Sequence, residues 1–508
     1  MKKMTMALIA GLAAAGLLAG CSGGGGDGSA QEQGQPQDSV YTGEEEWPAI
    51  GSEDAPVTVK VMIKDVFPDE EDVQLLQENI IEKMASHGQY VDLEFVDPPA
   101  GSYGTAVPLA VMNGDTDADL IYFQGGDQAV ADQGLLVDMT SYIKNSTFVK
   151  SLMTDINRTR MEHYPYLLWL APSRINIPAM RGDWAKQLDS YEALIADPTI
   201  DNYYNLFKEM KDKGMVEYAL NGDGSTARFD SIFNQAFGVT GTFVQENGKW
   251  IFSQVSSGEK DKLEFYNKLY EEGLLDPEYL TDTWDVMEQK FYDGKTGLIA
   301  SSVSSIQIYD NKMQSVNGPE AELVILPPAK GVSQGYTADS TSKESRGFAI
   351  NGDSENKDAA WAVLEFMASP EGRILDKCGI EGKHYNIEND QIVFTDRWPE
   401  WWARFWETTN HFDPEIPLAQ PVLVPAAQSA LDYLNEYTVP DNDILIPEEM
   451  TPQWDAMNSV FEEHSTNMIR GEEELSAFDT MVQEWNDAGG TAFESVIEEA
   501  MTGDESES

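Results

Sequence analysis

The residue types best suited to acid–base or metal chemistry are present in this chain, but they carry no recognisable spacing. With 88 Asp and Glu residues, carboxylate pairs occur by chance, so proximity in sequence says nothing about general acid–base catalysis. The sequence lacks His-Glu-x-x-His, Gly-x-Ser-x-Gly and the phosphate-binding Gly-x-x-x-x-Gly-Lys-Ser/Thr. Five histidines are scattered without metal-ligand spacing: His87, His163, His384, His411 and His464. We therefore expect no catalytic residues, no cofactor and no enzymatic activity.

One acidic run resembles the start of a calcium-binding loop. Asp115, Asp117 and Asp119 alternate as calcium ligands do, but the sixth position, which needs Gly, holds Leu120. The twelfth position holds Gly126, where such loops place a Glu. The run is better explained as a solvated turn leading into a strand, and we expect no metal here.

Tryptophan is the more informative residue type. The chain has 12, and four of them crowd into nine residues: Trp398, Trp401, Trp402 and Trp406. Trp169 and Trp184 lie near the first expected crossing between lobes. The flat C–H faces of pyranose rings pack well on indole rings, which favours sugar binding. Alternatively, Trp398, Trp402 and Trp406 share a helical face and pack in the core, which leaves Trp401 as the exposed ring.

Arg181 is one of ten arginines, within Arg181-Gly182-Asp183-Trp184. Its guanidinium could bind a ligand hydroxyl or carboxylate bidentately, or it could pair with a structural acid. The sequence leaves both roles open.

The charge balance excludes another class of function. Against 88 acidic residues stand 33 Lys and Arg, a net charge of −55, which repels nucleic-acid phosphates and anionic lipids. A chain that is 41% hydrophobic and 10% aromatic can bury a large core, and its length suggests two or more lobes. Two cysteines cannot support a disulfide scaffold.

Alternating strands and helices must position any site. Residues 57–63, 90–96 and 119–123 have strand patterns, and 73–85 and 106–112 have helical ones, which predicts a parallel sheet with helices on its faces. Further helices are predicted at 202–213, 260–272, 283–292 and 358–367, and further strands at 297–301, 322–326 and 346–351. Ligands of open α/β sheets bind beyond the carboxyl ends of the strands, so the loops after Phe123, Leu220, Ser301 and Asn351 are candidates.

The N-terminus predicts the compartment. A basic start at Lys2 and Lys3 precedes an apolar run, residues 6–18, that is too short to span a bilayer and resembles a signal peptide. Leu-Ala-Gly-Cys21 matches a bacterial lipobox, so we expect residues 1–20 to be removed, Cys21 to be lipidated and 21–55 to be a flexible linker. Cys378, on a helix capped by Ser369, should be an inert core thiol.

Several segments together resemble the family 1 extracellular solute-binding lipoproteins of ABC transporters. They are the lipobox, Arg181-x-Asp183-Trp184, the run 291–300 (Phe-Tyr-Asp-Gly-Lys-Thr-Gly-Leu-Ile-Ala) and the helix break within 360–372. The most specific is Gly379-Ile-Glu-Gly-Lys-His-Tyr385, which looks like a signature of the long oligosaccharide-binding subgroup. Residues 468–490 resemble the family's C-terminal pattern.

The resemblance implies an α/β, two-lobed periplasmic-binding-protein-like fold (class II) with discontinuous lobes joined by a hinge. It places lobe 1 at 56–170 and 332–410, lobe 2 at 171–331 and 411–502, and a disordered acidic tail at 503–508. An oligosaccharide would bind between the lobes of a monomer, anchored by its lipid at the extracellular face of the membrane, and pass to ABC permease subunits. The calcium loop that some members carry is missing at 214–224.

Loop position and family likeness together suggest the ligand-binding residues. They are Phe123, Gln124, Asp127, Trp169, Arg181, Asp183, Trp184, Arg228, Ser301, Ser302, Tyr336, Tyr385 and Trp401. Two other functions stay open at this point: a surface-anchored glycoside hydrolase, since carboxylate pairs and Trp platforms suit glycosidases, and a sensor component that presents its ligand to a membrane kinase.

Overall fold

The computed structural model describes residues 47–170, 175–338, 346–406, 418–419, 423–442 and 450–503. The predicted signal peptide, the lipidation site Cys21, most of the linker and residues 504–508 lie outside the described residues.

The described strands are short and follow the predicted order. They are β1 Val57–Met62, β2 Val91–Phe95, β3 Leu120–Gln124, β4 Ile177–Arg181, β5 Phe243–Glu246, β6 Lys249–Phe252, β7 Leu298–Ser301, β8 Leu323–Ile325, β9 Tyr336–Thr337, β10 Arg346–Ile350, β11 Tyr385–Glu388, β12 Gln391–Phe394 and β13 Thr438–Val439. Each strand predicted from alternation is present within a few residues of its expected bounds.

Helices cover the sheets and form most of the C-terminal part. They are α1 Glu71–Ser86, α2 Tyr103–Asn113, α3 Asp127–Ala131, α4 Thr140–Asn145, α5 Phe148–Leu152, α6 Asp155–His163, α7 Gly182–Ala185, α8 Asp189–Ala196, α9 Ile200–Asp212, α10 Ala227–Phe237, α11 Ser257–Glu271, α12 Trp284–Tyr292, α13 Val303–Asn317, α14 Lys357–Ala368, α15 Pro370–Cys378, α16 Pro425–Tyr437, α17 Thr451–Arg470, α18 Phe478–Trp485 and α19 Thr491–Gly503. The predicted helices are all among them.

A four-stranded sheet organises the N-terminal residues, in the order β10-β3-β1-β2. Strands β1, β2 and β3 are parallel, as the alternating pattern predicts, and Val59 and Val61 on β1 are fully buried. Strand β10 joins antiparallel to β3, with Arg346 opposite Gln124. The C-terminal end of β3 therefore meets the start of β10 at one edge of the sheet.

A second, three-stranded sheet has the order β7-β4-β8, and β4 is antiparallel to both neighbours. Its register pairs Ile177 with Ser301 and Arg181 with Leu323. Strand β4 is apolar along most of its length because it is buried between two neighbours and under helices.

The described residues, from Trp47 onward, belong to one compact unit, within which the hydrophobic clusters fall into two groups. One group joins residues 59–168 to 348–406, and the other joins 175–338 to 426–497. Tyr336 and Ala338 pack in the second group, although the sequence-based boundary placed 332–338 with the first. Leu418 packs beside Cys378 in the first group, although that boundary placed it with the second. We infer a first lobe of 47–170 with 346–419 and a second lobe of 175–338 with 423–503.

Helix α15 shows how local sequence fixes an element that matters for the site. The Ser369 hydroxyl accepts a hydrogen bond from the Gly372 amide at 3.1 Å, and Pro370 occupies the first helical position, which needs no donor. Cys378 at its end is 1% exposed, and burial raises the pKa of its thiol to about 12. The predicted burial of this thiol in the core is confirmed.

Candidate ligand-binding cleft

A cavity of about 750 Å³ lies where residues of the two lobes face each other. This volume is within the range of small-molecule sites, which are concave, mostly apolar and carry a few placed polar groups. We call it the interlobe cavity. Its lining comes from the first lobe at the β3–β10 edge and the segment 398–406, and from the second lobe on α12 and α13.

The segment 398–406 forms the aromatic wall of the first lobe. It begins with a 3-10 turn at Trp398–Glu400 and continues without regular structure, so its side chains do not follow a helical period. Trp402 is 42% exposed, whereas Trp401 is 7% exposed and Trp406 is 4% exposed. The expectation that Trp401 would be the exposed ring is wrong: its indole lies in the core with one edge on the cavity, and Trp402 faces solvent.

Asp376, buried in α15, holds this wall in place. Its Oδ1 accepts from the amides of Arg404 at 2.8 Å and Phe405 at 3.1 Å, and its Oδ2 accepts from Trp406 at 3.0 Å. The Trp401 indole donates to the Asp376 carbonyl at 2.7 Å. Burial raises the pKa of Asp376, while the three amides oppose that rise. One carboxyl group thus fixes the backbone of a segment that has no regular secondary structure.

The family-like signature at 379–385 supports the same wall from behind. His384 Nδ1 accepts from the Ile380 amide at 3.0 Å, and its ring lies 4.8 Å from the Trp401 ring, centroid to centroid. Gly379 has φ +86°, and a Cβ there would meet His384 Nδ1 at 2.6 Å. Tyr385 is 6% exposed in a small core. The signature therefore has a structural role here, and Tyr385 does not line the cavity.

Helices α12 and α13 form the opposite wall. Trp284, in the first turn of α12, is 48% exposed, and its indole donates to the Tyr309 hydroxyl at 3.0 Å, which orients the ring. Ile308 on α13 is 61% exposed. Ser304 adds a hydroxyl, and it lies 3.1 Å, oxygen to oxygen, from Ser302. Two exposed tryptophans thus face the cavity from different lobes.

The sheet edge supplies polar groups. Gln124 ends β3, and Arg346 lies opposite it on β10; both line the cavity with Tyr122 and Trp169. The Arg346 guanidinium carbon lies 5.6 Å from the centroid of the Trp169 ring, a cation–π contact. The position agrees with the rule that ligands bind beyond the carboxyl ends of strands.

Three of the suggested ligand-binding residues line the cavity, namely Gln124, Trp169 and Trp401, and the others lie elsewhere. Phe123 and Tyr336 have no exposed surface, and Asp127 is 1% exposed. Ser302 caps α13 by accepting from the Ser305 amide.

Both of the suggested arginines form local ion pairs. Arg181 binds Asp183 through two hydrogen bonds of 3.0 and 2.7 Å and lies 4.5 Å from the Trp184 ring centroid. Arg228 binds Asp223 in the same bidentate way, and its Nη1 donates to Ser301 Oγ at 3.2 Å. The structural alternative for Arg181 is therefore the one observed.

The acidic run after α2 also has structural partners. Asp117 pairs with Lys60, and Asp119 accepts from the Lys60 amide at 2.8 Å and from the Ser354 hydroxyl at 2.5 Å. Among the described residues, no group of three or more His, Cys, Asp or Glu is placed to hold a metal ion. In the same part of the chain, no helix has the length and apolar character needed to cross a bilayer.

Sequence reasoning missed Trp284, Trp402, Ser304 and Arg404 as lining residues. Trp284 follows a predicted helix start at Thr283, where a large apolar side chain is poorly covered by its own helix, and that position was the available signal. No sequence signal distinguishes Trp402 from its neighbours.

Comparisons with known proteins agree with this architecture. The model of the family described as bacterial extracellular solute-binding protein matches residues 67–374. Lipoprotein LipO of Bacillus subtilis is 21% identical over 338 residues, which are 61% of this chain and 66% of LipO, just under two thirds of the relative's length.

Solved structures share the fold. An alginate-binding protein is 16% identical, with TM-score 0.60 and coverage of 88% of this chain and 98% of its own. An N-glycan transport solute-binding protein from Streptococcus pneumoniae is 15% identical, with TM-score 0.62 and coverage of 89% and 98%. An HMO-binding solute-binding protein from Bifidobacterium longum infantis is 13% identical, with TM-score 0.65 and coverage of 88% and 98%. The fold is therefore the predicted α/β, two-lobed one, and this chain belongs to the bacterial extracellular solute-binding proteins.

Proposed function

We propose that this protein captures an oligosaccharide in the interlobe cavity and delivers it to the permease of an ABC importer. The observation that carries the proposal is the pair of exposed indoles, Trp284 at 48% and Trp402 at 42%, which face the cavity from different lobes. Exposed tryptophans are costly in water, and pyranose rings stack well on them. Solved proteins of this fold are described as binding alginate and N-glycans, which supports a saccharide ligand.

The proposed mechanism is capture without turnover. A ligand that contacts both walls binds the closed arrangement more tightly than an open one, and it shifts the population by that difference. The permease then recognises the closed form. Lipidation at Cys21 would keep the binder beside that permease at the extracellular face of the membrane, and residues 21–55 would act as its tether.

A hydrolytic function has less support. Glycosidases use a pair of carboxyl groups on either side of the scissile bond. Of the described residues that line the cavity, Asp65 alone carries a carboxylate. The acid pair that a hydrolase needs is thus absent from the described lining.

The test is calorimetric titration with a panel of tri- to hexasaccharides. For a glycan that binds, Trp402→Ala and Trp284→Ala should each weaken affinity about ten- to hundred-fold, since 1.4 kcal/mol is a factor of ten and a buried aromatic contact contributes about 1.5–3 kcal/mol. Phe67→Ala is the matched control, because Phe67 is an exposed aromatic (38%) outside the cavity.

Three results would count against the proposal. Binding of peptides or amino acids in place of every saccharide would overturn the ligand class. Saccharide binding that neither tryptophan variant weakens would overturn the location. Release of new reducing ends during incubation would favour the hydrolase instead.

A further inference from the structure

The interlobe cavity has an unusual charge composition for this chain. Overall, acidic residues outnumber basic ones by 88 to 33. Among the described lining residues the ratio is reversed, with one acid, Asp65, and four bases: Lys64, Arg346, Lys377 and Arg404. All four lie in the first lobe: Lys64 after β1, Arg346 on β10, Lys377 on α15 and Arg404 in the segment 398–406. An excess of basic over acidic side chains in this part of the lining favours anions in the cavity.

Arg404 is the most buried of these four basic residues. The residue is 5% exposed, and its guanidinium carbon lies 4.4 Å from the Trp401 ring centroid and 4.6 Å from that of Trp402. Its Nη1 donates to the Trp402 carbonyl at 2.7 Å, and its buried Nε has no hydrogen-bond partner among the described residues.

No described carboxylate oxygen lies within 4.0 Å of the Arg404 guanidinium. A desolvated cation without a carboxylate in contact is costly. Burial lowers the pKa of Arg404, and the more distant charges of Asp376, Asp72 and Glu70 oppose that shift. An anion in the cavity would offset that cost. The planar fork of the guanidinium is suited to bidentate recognition of carboxylate or sulfate groups.

Lys377 is a second buried basic residue of the same lining. It ends α15 one residue before Cys378 and is 9% exposed. Burial, and then repulsion from Arg373, lowers the pKa of Lys377 to about 8. Its carbonyl accepts from the Trp398 indole at 3.4 Å, which ties the lysine to the same aromatic wall. The wall therefore combines stacking surfaces with positive charge.

We propose that the ligand is an acidic oligosaccharide, whose carboxylate or sulfate groups bind the lysines and arginines of the cavity while its pyranose faces stack on the tryptophans. This inference rests on the proposed function and narrows its substrate class. A neutral glycan would fill the same volume but would place no anion beside the buried Arg404 guanidinium. Because the rest of the surface is acidic, such a ligand binds at the cavity and is repelled elsewhere.

The experiment compares matched ligands. Oligogalacturonate and oligomannuronate tetramers are titrated against their carboxyl-reduced, neutral counterparts, and chondroitin sulfate tetrasaccharides provide the sulfated arm. We expect at least one acidic glycan to bind ten-fold or more tightly than its neutral counterpart, with affinity that falls as salt rises from 50 to 500 mM.

Two variants locate the effect. Arg404→Gln removes the buried charge. Lys64→Gln removes a charge whose side chain is 41% exposed and pairs with Asp65 at 3.9 Å, so its loss leaves the core intact. Each should reduce the preference for the acidic glycan about five- to ten-fold and change the neutral affinity less. Arg397→Gln is the control: it makes the same charge change, but Arg397 is 52% exposed, pairs with Glu400 and lies outside the cavity lining.

The outcomes separate the two proposals. If neutral glycans bind as tightly as acidic ones, the acidic-ligand inference fails and the oligosaccharide function stands. If acidic glycans are preferred but both cavity variants keep the preference, the assignment to these cations is overturned. If no saccharide of either kind binds, the proposed function itself fails.

Discussion

Replacing Asp376 by Asn tests whether one buried carboxyl group positions the aromatic wall. The substitution keeps the size of the side chain but turns one oxygen into an amide donor. Of the three amides that Asp376 binds, the one facing the new NH2 group loses its acceptor, and the other two bond to a neutral oxygen. A hydrogen bond to a charged group contributes about 1.5–3 kcal/mol, and a neutral one about half of that.

The expected sum is about 3 kcal/mol, after allowance for the lower cost of burying a neutral amide. The loss should be local, because Asp376 makes these bonds only to 404–406. We expect the amides of Arg404, Phe405 and Trp406 to exchange hydrogen about 150-fold faster, since 1.36 kcal/mol is a factor of ten. Any glycan that binds the cavity should bind more weakly, although Asp376 itself does not line it.

Hydrogen–deuterium exchange with mass spectrometry measures this effect peptide by peptide. Asp479→Asn is the matched control: the Asp479 side chain is 87% exposed and pairs with Lys260 at 3.3 Å, so its loss should change stability by less than about 0.5 kcal/mol. Unchanged exchange at 404–406 in Asp376→Asn, with affinity also unchanged, would refute the positioning role. Faster exchange spread evenly over the whole protein would show a general structural defect instead.

Two further substitutions test one charged group and one close backbone contact. Burial opposes the charge of Glu209, but bonds from Lys213 and Ser190 hold its pKa at about 2, below its ordinary 4.5. The wild type should therefore be about 1–2 kcal/mol more stable than Glu209→Gln at pH 7, and this difference should vanish as pH falls from 4.5 towards 2. Urea unfolding across that pH range measures the difference, and a difference that stays constant with pH would contradict the prediction. In Gly347→Ala a Cβ would meet the Leu168 carbonyl oxygen at 2.5 Å with φ at +141°, so unfolding free energy should fall by 2 kcal/mol or more, and a loss below 0.5 kcal/mol would count against this reading.

Much of the fold could be predicted from the sequence because the patterns involved are local. The alternation in β1 and the helical spacing in α1 each follow from which side chains face the core, and the structure confirms both elements. The Ser369 cap and the proline after it mark the start of α15 in the same way. The antiparallel entry of β10 beside β3 has no local signal.

The aromatic wall could not be predicted because long-range bonds determine it. Spacing of 398, 402 and 406 suggests one helical face, but Pro399 lies in a 3-10 turn and Asp376 captures the amides that follow, 28 to 30 residues away in sequence. These bonds hold the segment in an irregular course, which buries Trp401 and exposes Trp402. Composition identified the right residue type, while only tertiary structure identified which ring is available.

The charge reversal in the cavity was also invisible in the sequence. Lys64, Arg346, Lys377 and Arg404 are separated by up to several hundred residues, and only Arg404 lies within the tryptophan cluster. A net charge of −55 directs attention away from any basic site. The fold brings these cations to one cavity because the end of β1, α15, the β3–β10 edge and the segment 398–406 all contribute to its lining.

Strand β10 lies more than 200 residues after its partner β3 in the sequence, which affects how the chain folds. The Asn351 side-chain amide donates to the Ala118 carbonyl, 233 residues earlier. Strand β9 likewise pairs with β13, which lies near residue 438. Closing loops of this length is entropically costly and slow compared with forming a local hairpin. The edge of β3 stays open for pairing during that interval, a hazard for aggregation. Neither core is complete until most of the polypeptide has been synthesised, so a fragment ending at residue 331 would leave both unfinished.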